Sequence, residues 1–562
     1  YIENEGMGIF NQSEGSTVEL IANQGNNTIV TNETGLESAR QNAKIKLDAQ
    51  NNTVQLFSDQ EDSGDAGIMA RIHGSVLLEA DVENEIQANS TEELIDGAYG
   101  DKYAIHANTN GTVDVKAGAE NTIYGAVYAT GDEKNGVGSV TIGKLDVAGS
   151  TFSRTASGDV VNYIGSAAVI DKAGDLDQSK DETMRNLDVV SALYAQGGAE
   201  IHLSGNNTIC TFANKEDDTT AERSIWAYDK GKINVDGYTV IRTNQYDESP
   251  NSMDVAVAAG TATNLDTGDF TNYPVDDDSM AKVTINYANA NGVKSYIEGD
   301  VLAAYGGVVT IQAQEGVTRA VHTAGIDIHG NLLSGNKGVL NVELGNGGTL
   351  TGRADDYGDA GTEGLDSQHT SFFNPAFSSE ILTGGEVNLT MGEGSYWKVT
   401  GQSWVTSVDT GHSEHVEIDL SATDSELNKT AQALTIGEMK GNAMFTMQLD
   451  GKRSVSDMLY MKKAEGEYFI NLKKPVTVEE MYDRFDGLRF ATVGKDSHAT
   501  FSAGTYGNGV YNVEYEVGTD DYDGNEENSA YNSTSGKGEM DEAKPGNDLV
   551  DNLFKDEPQE AA

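Results

Sequence analysis

The sequence predicts an all-β fold built as a solenoid of stacked strands, and three observations carry that expectation. A short grammar of residues recurs along the chain, its apolar members alternate with polar ones, and proline is nearly absent while glycine is abundant.

The grammar is clearest in LYAQGGAEIHLSGNNTI, which starts at Leu193. Two positions on stands the small residue Ala195, Gly198 precedes the next strand, and Ile201 and Leu203 follow at the eighth and tenth positions. The same frame opens at Ile68, Ile105, Ile225, Val301 and Leu332, with Gly74, Gly111, Gly231, Gly307 and Gly338 in the glycine slot. Apolar residues two apart, such as Ile201 and Leu203 around His202, give a period of two and hence a strand with one buried face. The small residue and the glycine mark a tight corner where a bulky side chain does not fit. Strand, corner and strand make one coil, and where copies follow directly the interval is about thirty residues, a period typical of repeat architectures. The wider intervals from Ile105 to Leu193 and from Ile225 to Val301 are expected to hold coils too degenerate to read.

A coil often closes on Asn-Thr before an apolar residue, at Asn27, Asn52, Asn121 and Asn207. Asparagine tolerates left-handed backbone and bonds its own turn, so a stacked turn with an asparagine ladder between coils is expected.

Composition sets the outer bounds. With 562 residues the chain exceeds the size of one compact core, which leaves several domains or an elongated repeat, and the grammar decides for the repeat. There are only six prolines beside 64 glycines, as expected where strands are paired on both edges and no N–H can be spared. The formal net charge of −53, from 90 acidic and 37 basic residues, argues against nucleic acid or an anionic membrane as partner. The single cysteine, Cys210, reads as a small buried hydrophobe. No apolar run is long enough for a membrane helix. No basic-then-apolar segment opens the chain, so Tyr1 reads as the start of a trimmed polypeptide.

In chain order, residues 1–433 form the solenoid, with polar insertions near 151–190, 212–224, 243–254 and 261–281 expected as side loops. A longer insertion, 353–380, places Phe372, Phe373 and Phe377 around Pro375. Packing onto the solenoid is the favoured reading of these rings and an exposed adhesive patch is the alternative. Tyr396, Trp397 and Trp404 pose the same choice, so these six aromatic residues are the candidate ligand contacts. From 434 to 519 the texture becomes richer in Met and Phe and reads as a β-rich C-terminal cap. Within it Thr477 and Glu480 form a capping box, with Val476 and Met481 as a staple, which predicts a short helix. Residues 520–562 carry thirteen acidic residues and three lysines with no strand pattern, and read as an acidic linker.

No constellation for catalysis is legible. Asp62-Ser63-Gly64-Asp65 has no histidine before it, and Gly174-Asp175-Leu176 lacks the serine a lipase start needs. Asp276, Asp277 and Asp278, and the pair Asp355-Asp356, could serve a glycosidase or hold calcium, but in so acidic a chain they read as solvated loop charge. His412 and His415, the only close histidine pair, lie in an unpatterned loop, and no metal site is read there. His106 and His202 both stand between apolar residues and read as the same outward, solvated slot. No cofactor is expected, calcium at the acidic clusters being the alternative.

The order of parts, and the residues 441–449 followed by Asp457, Leu459 and the strand 468–472, resemble the end of the passenger of a monomeric, pertactin-like Gram-negative autotransporter of the type V secretion class. The stretch 509–517, opening Gly509-Val510-Tyr511, is similar to the strand that closes such passengers. That resemblance implies a right-handed parallel β-helix with three strands per coil, and an autochaperone-like module at 434–519. It also implies an outer-membrane barrel beyond Ala562 as the only membrane contact, and a place on the bacterial cell surface or in the medium. The function it implies is non-enzymatic adhesion to a host or bacterial surface protein or glycan, or self-association of the biofilm type. A carbohydrate-active enzyme on the same scaffold, lyase or glycosidase, is the first alternative and a structural spacer the second.

Overall fold

The computed structural model describes residues 1–4, 6–58, 66–90, 103–132, 134–145, 159–165, 191–211, 223–243, 255–260, 280–314, 325–335, 337–356, 385–421, 432–448, 457–473, 488–494, 497–503, 505–507, 511–517, 520–521, 547–548, 551–554 and 559–560. The three phenylalanines of the 353–380 insertion, Asp276–Asp278 and the expected helix after Thr477 lie outside them. Every regular element described is a strand, and the chain divides into two compact units, Tyr1–Val317 and Thr318–Ala562.

The first unit is a parallel β-helix with three strands per coil. Leu193–Gln196 is the last strand of one coil, and Glu200–Ser204 and Asn206–Thr211 are the first two of the next. Each of these pairs in parallel with its counterpart in the next coil, Arg223–Tyr228, Lys232–Gly237 and Thr239–Thr243. The grammar is therefore the third strand of one coil, a corner and the first strand of the next, while the Asn-Thr segment is the second strand. Leu193 stacks on Ile225, Ile225 on Val257 and Val257 on Val301, and Ile201 stacks on Ile233 and Ile233 on Val283. Those side chains are fully buried, so like packs on like down the core.

The unread coils start at Val127 and Val257. Val127 registers with both Ile105 and Leu193, and Val257 lies between Ile225 and Val301. After Val127 and Ala129 the chain inserts the hairpin Gly131–Asp132 with Gly136–Val137 before the buried pair Val140 and Ile142. The corner thus lengthens and the eight-and-ten spacing is lost. The glycine slot has a steric cause: a Cβ on Gly111 would lie 2.0 Å from the Ala70 carbonyl oxygen, and one on Gly231 2.0 Å from that of Ala195. The corner rests directly on the backbone of the small residue one coil back.

The asparagines form a ladder, but on strands and not in turns, which corrects the expected stacked turn. Asn27, Asn52, Asn84, Asn121, Asn162 and Asn207 are buried in one inward row. Each Nδ2 from Asn27 to Asn162 donates to the next Oδ1, at 3.0, 2.9, 2.9, 2.9 and 2.7 Å. The same amides also reach backbone carbonyls, as from Asn84 to Lys116 and from Asn121 to Gly143. A row of amides satisfies itself in the dry core only because each coil brings another. Cys210, two residues after the ladder's Thr208, is fully buried, as read from the sequence.

The second unit continues the same construction in its own residues. Ile326–His329, Thr349–Gly352, Tyr396–Val399, Glu417–Asp419 and Ala443–Met447 pair successively in parallel, ending on residues 468–472 of the long strand Met458–Leu472. A second series runs Val339–Glu343, Glu386–Thr390, Ser403–Asp409, Ala433–Lys440 and residues 458–465. The parallel ladder therefore crosses position 434 without a break, because that residue lies inside the strand Ala433–Lys440. Beyond it, Thr505–Gly507 and Tyr511–Val517 pair antiparallel. Asp551–Phe554 pairs with both Leu488–Arg489 and Tyr515–Val517. Backbone pairing of this kind needs no apolar alternation.

At the start of Met458–Leu472, Asp457 clasps the ends of two neighbouring strands. Its Oδ1 accepts the Gln432 N–H at 2.9 Å and its Oδ2 the Gln448 N–H at 2.7 Å. Burial pushes its pKa up to about 6 from 3.8 against the pull of those two donors, with Asp419 adding to the rise. The folded state therefore holds a proton that the unfolded chain has released, so this group's contribution falls as pH rises from about 4 to about 6. Replacing Asp457 by asparagine is expected to remove about 3 kcal/mol of that slope. Urea unfolding of wild type and D457N across pH 3 to 7 measures the difference, in which the many other carboxylates cancel.

Candidate functional site

The rows that point outward are where this fold can present chemistry, since the inward rows are filled. In the second unit, Tyr396 registers with Glu417, Glu417 with Met444, Met444 with Phe469 and Phe469 with Ser502. This outward row forms the floor of an open groove of about 470 Å³. One side is walled by Glu414, His415, Asn442 and Glu467, from the segments that lead into the same strands.

Each wall residue is held. Tyr396 is half-buried, and its hydroxyl donates to Asp419 Oδ2 at 2.8 Å. Burial and that carboxylate push its pKa upward, so it remains a neutral phenol. Thr446 donates its hydroxyl to Glu417 Oε1 at 2.6 Å, fixing the carboxylate beside the ring. Asn442 Oδ1 accepts the Glu467 N–H at 2.9 Å. His415 Nδ1 lies 2.5 Å from Glu393 Oε1, and Glu393 also accepts the Glu414 N–H at 2.8 Å. The His415 bond, first among its partners, holds the Glu393 carboxyl below the usual range. Phe469 leaves 39% of its surface exposed, whereas its neighbour Tyr468 is buried against Phe445 and Phe501.

Of the aromatic candidates among the described residues, Tyr396 alone lines this groove. Trp397 is fully buried and Trp404 is 4% exposed, so both rings build core instead of meeting a ligand. Period two requires this of Trp397: beside an outward Tyr396 it must point in, and its Nε1 donates to the Gly352 carbonyl at 3.1 Å. Phe372, Phe373 and Phe377 lie outside the described residues. Phe469, Glu417 and Glu467 were not singled out from the sequence, although an apolar Phe469 between the apolar Tyr468 and Ile470 breaks strict alternation and was a signal.

Two other readings change. Asp355 and Asp356 are not solvated loop charge but buried, with Thr406 donating to Asp356 Oδ2 at 3.0 Å. Burial, then the adjacent Asp355, pushes the Asp356 pKa well above its ordinary value. His106 and His202 do not share a slot either. His106 belongs to a third-strand row between Met69 and Tyr128, is mostly enclosed, and bonds Thr130 Oγ1 at 3.0 Å. Burial, aided by Arg71, lowers its pKa to about 4. His202 sits on a first strand, half exposed, 3.6 Å from Asp236. Among the described residues no group of three or more His, Cys, Asp or Glu is arranged to hold a metal ion.

Fold and groove together define the class: a three-strand parallel β-helix that carries an aromatic and acidic groove on an outer face. Among solved structures the chain is similar to the crystal structure of the autotransporter UpaB from E. coli strain CFT073, with 13% identity, a TM-score of 0.32, and 98% of this chain and 95% of that chain covered. No family model matches the sequence, and no curated protein matches it.

Proposed function

We propose that this chain is a surface-displayed or secreted passenger of the autotransporter type that adheres without catalysis. Its partners are a host or bacterial surface protein or glycan, or further copies of itself. The observation that carries the reading is the outward row Tyr396–Glu417–Met444–Phe469, which keeps two rings and a carboxylate at an open groove on a rigid scaffold. Contacts of that size are individually weak and gain from display of many copies. Displayed on a non-adherent bacterium, the chain is expected to confer attachment to cells, matrix or sister bacteria. A broad screen with no attachment contradicts the proposal. Glu414, Glu417 and Glu467 in the same groove favour one alternative, a carbohydrate-active enzyme. Release of reducing ends or unsaturated products from plant or host glycans, abolished by E417Q or E467Q, replaces adhesion with that reading.

A further inference from the structure

The groove repeats one arrangement twice. At one end the Tyr396 ring stands beside Glu417, its register partner; at the other the Phe469 ring stands beside Glu467, two residues back on the same strand face. Three ladder steps separate the rings, about 14 Å at about 4.8 Å per step. A ring face beside a carboxylate is the chemistry that holds an ammonium or guanidinium group, by quadrupole and by charge.

Carboxylates dominate the lining of the groove, and the outward lysine on the Tyr396 strand, Lys398, registers with Asp419. Among the described residues no Lys or Arg forms an ion pair with Glu414, Glu417 or Glu467. The lysines on the adjoining strands are engaged elsewhere, Lys440 with Glu438 at 2.9 Å and Lys463 with Glu438 and Glu465 at 2.9 and 3.3 Å. His415, the groove's own basic group, is turned to Glu393. The net charge of −53 adds a field that draws cations and repels anionic glycans.

We infer that the groove binds an extended basic peptide segment of a partner protein, with cationic side chains four residues apart seated at the Tyr396–Glu417 and Phe469–Glu467 stations. An extended chain advances about 13 to 14 Å over four residues, which matches the spacing of the two rings. This inference rests on the adhesin reading and narrows its partner to a protein. A neutral sugar can use these carboxylates as hydrogen-bond acceptors but gains nothing from their net charge, and the rings are too far apart to form one stacking platform.

The test uses the full chain at physiological salt and a blocked five-residue peptide with lysine at positions one and five. Comparison ligands are its glutamine counterpart, a version with lysines two apart, and a neutral tetrasaccharide. The lysine pair at spacing four is expected to bind best. F469A, and separately the double variant E417Q/E467Q, should each weaken it about tenfold. Glutamine keeps the acceptor that Thr446 needs, and unchanged melting confirms that the fold is intact. The double variant E14Q/E19Q, at glutamates that do not line the groove, removes the same charge and should change affinity less than twofold.

An equal loss in E14Q/E19Q overturns the inference, because binding would then be diffuse attraction to an acidic chain. Tighter binding of the tetrasaccharide, or no peptide binding while displayed cells still adhere, overturns it but leaves adhesion standing. Absence of both peptide binding and adherence overturns both.

Discussion

Replacing Asn121 by leucine is expected to destabilise the first unit by about 3 to 5 kcal/mol, although the two side chains are nearly equal in size and no cavity opens. Asn121 accepts from Asn84 and donates to Asn162 and to the Gly143 carbonyl. Removing it strands the Asn162 Oδ1 and Gly143 carbonyl acceptors on one side of the break and an Asn84 N–H on the other, each costing about 1 to 3 kcal/mol, while Asn84 keeps its bond to Lys116. The loss should grade along the ladder. Asn27, at the first rung, donates to Asn52 and the Leu20 carbonyl, and Asn27→Leu is expected to cost about half as much. Urea unfolding followed by circular dichroism measures both. Equal small losses would mean that the ladder is filler and that the apolar rows alone fix the coils.

Trp397→Ala is the second large effect, expected at about 3 to 5 kcal/mol in the second unit. The indole is fully buried, stacked by register between Leu350 and Ile418. Trp397→Phe keeps most of the apolar volume but loses the indole bond to the Gly352 carbonyl, which retains the Thr400 N–H at 3.4 Å, so it should cost about 1 kcal/mol. Tyr396→Phe, one residue away, loses only the hydroxyl bond to Asp419 and should cost about 1 kcal/mol. Adjacent aromatic residues thus separate cleanly into core and surface. A Trp397→Ala loss below about 1 kcal/mol would place the indole outside the core.

The division between what the sequence disclosed and what it hid follows from range. Residues two apart on one strand show their alternation locally, so the buried faces at Leu193, Ile201 and their copies were legible. The stacked asparagines were legible only where threonine follows. Asn84 precedes Glu85 and Asn162 precedes Tyr163, so both rungs were missed, although their inward position needs nothing from the next, outward residue. The coils at Val127 and Val257 were hidden because insertions shift the phase of the pattern without disturbing the register of the strands. The groove was the least legible part, since residues from Tyr396 to Ser502 come together only through four successive parallel pairings. Even so, Trp397 with Val399 as an apolar pair, against Tyr396 with Lys398, was enough to say which ring points in.

The repeat builds the core, and the proposed binding falls to what the outward rows present. Adherence and thermal melting of F469A, measured side by side in the displayed and the purified chain, test this most directly. Adherence is expected to be lost while the melting temperature moves by less than about 2 °C, because the ring is already 39% exposed. Full adherence with the fold intact would contradict it.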